Sequence, residues 1–311
     1  MSLVVQVIVT GLAAGGVYGL VAVGHSLVYR LTGVVYFAFG DLVSFAVFTT
    51  LLVAAGSAPI SQTSLSPGRF LLGLAIGLLL CIGVGAATYV LFVEPYLLRG
   101  SLLGWVAATL AIAFALRGMV GAVFTRPAYV FPDPLPFDEI GRDGVVSLLG
   151  ASVQVRSFFV IGLAAVLAAL AAWTLDRTRH GRALQAISSD PEAARFVGLP
   201  VEALVALTFG LVGALAAVAA VAAAPSAPFS VDTGMLLGLK GLVAALIVRF
   251  GSPWAAFAAG LGVGLAEAAI DNLRVGDFGL GPQYGEILPL AFALGLIAYR
   301  SLRSEPVLRR A

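Results

Sequence analysis

The sequence predicts an all-α membrane protein, a bundle of eight or nine spanning helices. Three observations carry that prediction. Of the 311 residues, 60% are hydrophobic and only 11% are charged, against about 25% charged in soluble domains. So little charge cannot cover a water-soluble globule, which excludes a soluble enzyme, a disordered chain and a nucleic-acid-binding protein. The apolar residues fall into nine segments, most of them close to the roughly 20 residues a spanning helix needs. No alternation of period two persists, which argues against a barrel. Helices are what remain for a backbone in lipid.

The segments follow in order. Residues 4–28 come after Met1-Ser2-Leu3, with no basic side chain and no small-residue cleavage site. They read as a retained span and not a cleaved signal. Segment 33–55 opens at Gly33 and carries Tyr36, Phe37, Phe39, Gly40 and Asp41 in an otherwise apolar run. Segment 70–93 holds Cys81, the single cysteine, so no intrachain disulfide can form. Segment 103–124 holds Arg117, expected to snorkel to the interface. The loop 125–156 contains Pro127, Pro132, Pro134 and Pro136 and is expected to be extended and irregular. Segments 157–175, 203–224, 236–250, 253–271 and 284–300 complete the chain. Segment 236–250 is the shortest and contains Lys240 and Arg249. The count is nine if it crosses and eight if it is a half-span. No linker or composition shift divides the chain, which reads as one transmembrane domain over 1–311, without a strong internal repeat.

Small residues recur at Gly11-Gly15-Gly19, Gly73-Gly77 and Gly260-Gly264, a spacing that lets helices approach closely. Basic residues set the orientation. Arg177, Arg179, Arg182 and Arg195 mark 176–202 as a cytoplasmic loop, and Arg300, Arg303, Arg309 and Arg310 mark a cytoplasmic C-terminus.

Catalytic chemistry has little support. His25 and His180 stand far apart, and no His/Cys cluster has zinc-ligand spacing, so no metal site is expected. The single lysine, Lys240, lies between Leu239 and Gly241, so there is no phosphate-binding Gly-Lys-Ser/Thr loop. No catalytic residue is assigned and no cofactor is expected on this chain. Deep ionisable residues are few: Asp41, Arg117, Glu267 and Lys240. Asp41 needs a partner or water at mid-depth, and Arg30 is a candidate. Glu267 and Asp271 share one helix face, facing either a pore or the hydrated outer end.

The loop 176–202 carries the clearest local signal. It reads as two short helices with a break at Asp190. Asp190 is a good N-cap and Pro191 suits the first helical position. Glu192 complements the helix dipole. Gly198 ends the helix and Pro200 prevents its continuation. Ala193, Ala194, Arg195 and Phe196 lie between. A short rigid helix with apolar residues, held between two spans, suits a groove on a soluble partner.

The string Glu192-Ala193-Ala194 with Gly198 resembles the coupling loop of ABC importer permeases. Further stretches resemble the branched-chain amino acid permease family: Gly33 to Leu42, Gly238-Leu239-Lys240-Gly241, Gly251-Ser252-Pro253 and Gly264-Leu265-Ala266-Glu267. These motifs span about residues 11–270 in the expected order. The family's Asn-Phe-Ala-His-Gly is here Tyr36-Phe37-Ala38-Phe39-Gly40, which replaces an amide and a titratable ring by aromatics.

The resemblance implies an ABC importer permease fold and one permease subunit of an importer. Implied partners are a second permease, two ATP-binding cassette ATPase subunits that consume ATP, a periplasmic solute-binding protein and the lipid bilayer of a bacterial inner membrane. Asp190, Pro191, Glu192, Ala193, Ala194, Arg195, Phe196 and Gly198 would couple to the ATPase. Tyr36, Phe37, Phe39, Gly40, Asp41 and Glu267 would line the substrate path. The cargo implied is a branched-chain or other amino acid. Family members also import urea, short amides, sugars or nucleosides. An ion-coupled secondary transporter acting alone is the competing class, disfavoured by the scarcity of deep charges.

Overall fold

The computed structural model describes residues 2–56, 67–98, 102–131, 144–148, 151–226 and 228–272, and a few positions beyond. Eight apolar helices occupy eight of the nine predicted segments: α1 (Ser2–Thr32), α2 (Phe39–Ala55), α3 (Pro67–Thr88), α5 (Leu102–Val123), α6 (Val155–Arg177), α9 (Val201–Ala223), α10 (Thr233–Ile247) and α11 (Pro253–Asp271). Six of these regions are long and apolar enough to cross a membrane, and α2 and α10 are shorter. The predicted segment 284–300, the basic tail and the stretch 132–143 lie outside the described residues.

Short elements join the spans. α3 continues through a wider π-helical turn (Tyr89–Val93) into α4 (Glu94–Leu98). Pro95 explains the widening, because its ring would clash with the carbonyl one turn back in a regular α-helix. The loop before α6, expected to be irregular, instead contains a hairpin of β1 (Val145–Leu148) and β2 (Ala151–Gln154), with Val146 opposite Val153. Its valines favour a pleated backbone. α7 (Arg179–Ser189) and α8 (Pro191–Phe196) fill the loop between α6 and α9.

Close packing follows the glycines. Gly15 of α1 lies against Gly260 and Leu261 of α11, and Gly19 against Phe257. Gly85 of α3 faces Gly210 of α9, 2.9 Å from the position a Cβ would take. Gly40 of α2 meets Gly234 and Gly238 of α10. With no hydrophobic drive between helices in lipid, such backbone approach is what holds them. These contacts fix directions: α1, α3, α6 and α10 run one way, and α2, α5, α9 and α11 the other.

The triplets α1–α2–α3 and α9–α10–α11 are therefore inverted copies, each long, short, long. They pack crosswise, α1 on α11, α3 on α9 and α2 on α10. The sequence shows no strong repeat because the symmetry lies in helix lengths and breaks, which many residue choices satisfy.

Candidate functional site

The two short helices start inside the bundle. After α1 ends at Thr32, Gly33 adopts a left-handed φ of 68° and residues 34–38 turn back. Phe39 then packs on Gly24, about two turns, or about 12 Å, before the end of α1. On the opposite side, residues 228–232 run inward from the end of α9. Their backbone is tied to the α5 exit by the Tyr129–Phe229 bridge. Gly234 meets Ser44 of α2, about three turns, or about 16 Å, from the far end of that helix. The N-termini of α2 and α10 thus converge at mid-depth, an arrangement membrane proteins tolerate where backbone is enclosed by protein or lines a cavity.

Asp41, in the first turn of α2, is buried. Its carboxylate Oδ1 accepts from Arg117 Nε at 3.1 Å and Nη2 at 2.9 Å. Arg117 Nη1 lies 3.7 Å from Asp232 Oδ1. Arg117 is therefore an ion-pair partner in the bundle, where the sequence suggested snorkelling. Arg30, the partner suggested for Asp41, is instead exposed in the last turn of α1. Asp232 drew no notice in the sequence. A partner charge on a distant segment leaves no local signature.

The other predicted pathway residues lie in different settings. Tyr36 and Phe39 are fully buried. Tyr36 stacks at a tilt on Phe209, with ring centroids 5.1 Å apart, and Phe39 meets His25 edge-on at 4.9 Å. Phe37 is partly exposed beside Trp105. Gly40 is buried at the α2–α10 crossing. Glu267 is remote from these. Its Oε1 accepts from Lys240 Nζ at 2.7 Å, and Lys240 also donates to the Tyr18 hydroxyl at 3.3 Å. Lys240 is therefore a buried ion-pair partner in the bundle. Of the two settings left open for Glu267, the hydrated outer end gives way to a mostly buried ion pair. The chain's single lysine, followed by an acid in the very next segment, was the available clue.

A cavity of about 560 Å³ opens at the hairpin end between α1, α6, α9, α10 and the hairpin. Gln6, Thr10, Tyr18, Gln154, Ser157 and Thr233 supply neutral polar groups in an otherwise apolar lining. None of the predicted pathway residues lines it.

The loop helices are built as their residues dictate. Thr178 caps α7, accepting from Gly181 N at 3.0 Å. α7 folds back on α6 through Gly181 and through Gln185, whose amide donates to Leu175 O. Asp190 Oδ1 accepts from the amides of Glu192 and Ala193 at 3.0 and 2.9 Å. At the other end Gly198, with φ 83°, donates to Arg195 O, and Leu199 donates to Ala194 O. That pair of bonds is a Schellman closure. Arg195 Nε donates to Glu202 Oε1 at 2.8 Å, and this bond holds the guanidinium pKa above its ordinary value. Phe196 and Val197 are 92% and 80% exposed, an apolar tip held on a rigid turn. Among the described residues no cluster of His, Cys, Asp and Glu could hold a metal.

Comparison with known proteins gives this architecture its context. Residues 7–296 match the family described as "Branched-chain amino acid transport system / permease component". The chain is 27% identical over 303 residues to the high-affinity branched-chain amino acid transport system permease protein BraD of Pseudomonas aeruginosa, covering 95% of this chain and 93% of that one. It is 25% identical over 268 residues to permease protein LivH of Escherichia coli, covering 85% and 84%. A LivH relative of Methanocaldococcus jannaschii is 28% identical over 291 residues, covering 89% and 85%. A solved structure described as a metal-chelate type ABC transporter in an inward-facing conformation shares the fold, with a TM-score of 0.52 and 16% identity, over 95% of this chain and 85% of that chain. The bundle of apolar helices is thus an ABC transporter permease fold in a multi-pass membrane protein, a transport subunit and not an enzyme. A family match that takes in all eight described apolar helices leads to one conclusion: this chain belongs to the permease-component family of branched-chain amino acid transport systems.

Proposed function

We propose that the chain is a permease subunit of an ATP-binding cassette importer that carries a branched-chain or other amino acid across the bacterial inner membrane. A second permease completes the pore and two ATPase subunits hydrolyse the ATP. A periplasmic solute-binding protein delivers the cargo. The names of the relatives support the cargo class.

The observation that carries the reading is α8. It is capped at both ends, it projects Phe196 and Val197 into solvent, and it is tied through α7 to α6 and through Pro200 to α9. A docking partner that moves this helix therefore moves two spans. The same end of the bundle collects Arg30, Arg177, Arg179, Arg182, Arg195 and Arg249, against Arg69, Arg126, Arg156 and Arg274 at the other end. That bias supports a cytoplasmic α7–α8 end; α11 ends at the opposite face, so the proposed cytoplasmic C-terminus further requires the predicted segment 284–300 to cross. In this reading Asp190 to Gly198 transmit force from the ATPase, and the path runs by the mid-depth break at Tyr36 to Asp41. Glu267 acts through its pairing with Lys240.

Replacing Phe196 and Val197 together by alanine tests the proposal. Co-purification of the ATPase subunits is expected to fall about ten-fold or more, as for an exposed apolar anchor at an interface. The thermal stability of the chain itself should not change, since both side chains are solvent-exposed. Undiminished co-purification would remove the coupling role.

A further inference from the structure

We infer that Arg117 and Asp232, braced by Asp41, form this chain's half of the site that recognises the zwitterionic end of the transported molecule, its carboxylate at Arg117 and its ammonium at Asp232. This rests on the importer reading and deepens it.

The first argument is placement. Asp232 immediately precedes α10, whose first turn packs on α2 well inside the bundle. Arg117 lies about 9 Å from the end of α5. Yet Asp232 is 73% exposed and Arg117 23% exposed on the surface of the chain. A charge presented to lipid near mid-depth costs about 2.5–3.5 kcal/mol. Two charges opening to one face therefore mark a face turned to water or to another subunit, not to acyl chains. In an importer with two permeases, that face borders the path between them.

The second argument is how loosely the two groups are used. Asp41 Oδ1 holds the guanidinium from one side, accepting from both Arg117 Nε and Arg117 Nη2. Nη1 is left at 3.7 Å from Asp232, longer than a hydrogen bond. Asp232 makes no side-chain capping bond to α10, so its carboxylate is not consumed by the helix. The exposed edge is thus a cation and an anion side by side, at ion-pair distance but without a hydrogen bond between them. An α-amino acid presents the reverse pair at similar spacing.

The third argument is charge balance. Two carboxylates and one guanidinium leave one negative charge in excess; a zwitterion adds no net charge, so that excess is balanced by the helix ends and not by the ligand. The converging N-termini of α2 and α10 each contribute about half a positive charge, which favours the incoming carboxylate beside Arg117. Half-helix N-termini aimed at a substrate carboxylate are an established device in transporters.

The fourth is the surrounding surface. Met235, Leu236 and Leu239 are exposed on the same face of α10 as Asp232. The exposed Phe114 ring lies 5.8 Å from the Arg117 guanidinium. Together they give an apolar bed for an aliphatic side chain. In this arrangement Asp41 is a positioning residue. It orients Arg117 and does not touch the ligand.

The test uses the complete importer in liposomes, this chain assembled with its partner permease, ATPase subunits and binding protein. Uptake of L-leucine by the unaltered complex checks the importer reading independently. Asp232→Asn is expected to reduce leucine uptake about ten- to hundred-fold, the range for a lost charge-assisted hydrogen bond, while the complex still assembles on size exclusion. Asp232→Glu should recover most of the uptake. Asp232→Cys adds a readout that a merely structural role would not move. Cys81 is the chain's single cysteine and is buried, so a cationic thiol reagent should label position 232 in the assembled complex. Leucine delivery driven by ATP should slow that labelling. Leucine uptake by the Asp232→Asn complex within about two-fold of the unaltered one, or labelling indifferent to leucine, overturns the site and leaves the importer reading standing. An unaltered complex that moves no leucine overturns the importer reading and the site together.

Discussion

Neutralising Glu267 should strand a charge, and removing that charge as well should restore stability. Lys240 Nζ lies 2.7 Å from Glu267 Oε1, with the two side chains 7% and 15% exposed. Removing one partner of a buried ion pair costs about 3–5 kcal/mol, and an unpaired lysine at the centre of a span costs about 2.5–3.5 kcal/mol. The ranges meet near 3 kcal/mol. The Tyr18 hydroxyl still accepts from Lys240, and the Tyr18 ring centroid lies 5.1 Å from Nζ, which favours the lower end. Glu267→Gln is therefore expected to destabilise the bundle by about 3 kcal/mol. Adding Lys240→Met keeps the stem and removes the stranded charge. The double variant should lie only about 1 kcal/mol below the unaltered protein, the net worth of ordinary hydrogen bonds. The second substitution thus regains about 2 kcal/mol, well beyond the roughly 0.5 kcal/mol within which independent sites add. Equilibrium unfolding in mixed micelles, followed by fluorescence of the three tryptophans, measures this directly. If Lys240→Met destabilises the Glu267→Gln protein further, the pair is not the electrostatic unit the geometry describes.

Three further outcomes are expected. Gly260→Val should abolish monodisperse protein in detergent, because its Cβ would meet the Gly19 backbone and force α1 from α11, whereas Gly262→Val should be tolerated, since nothing lies within 4 Å of its Cβ position. Phe39→Ala should cost about 3–5 kcal/mol in the same unfolding assay, as for other buried aromatics, and Phe37→Ala under about 1 kcal/mol because Phe37 is partly exposed; equal effects would contradict the burial of Phe39. Asp190→Ala should lose about 1 kcal/mol of local helix stability, seen as faster hydrogen exchange at the amides of Glu192 and Ala193, and unchanged exchange there would refute the cap.

The local features of this protein were legible because their causes are local. The eight apolar segments among the described residues are helices, since lipid leaves a spanning backbone no cheaper way to pair its hydrogen bonds. The α7–α8 loop broke at Asp190 and closed at Gly198, because caps and terminators act within a few residues of themselves. Segment 236–250 is the shortest apolar run in the sequence, and α10 begins earlier, at Thr233, where its glycines meet α2. The hairpin in 144–154 is hidden in the sequence because its short valine strands follow a proline-rich stretch and pair only with each other.

Charge partners and burial had to await the tertiary structure. Asp41 sits next to Arg117 and Asp232 and Tyr36 beside Phe209, brought together by segments distant in sequence, and Lys240 meets Glu267 across the consecutive helices α10 and α11. The identity of an ion-pair partner depends on which faces meet, and glycine contacts across α1–α11, α2–α10 and α3–α9 decide that. The replacements at Tyr36 and Phe39 illustrate the division. From sequence they alter a candidate path, but in the structure they fill an aromatic core against His25 and Phe209. Composition and periodicity determined that the chain lives in the membrane as helices, because solvation acts on every residue alone. Which charges are sheltered and which face outward was decided only by packing, because that depends on pairs of residues.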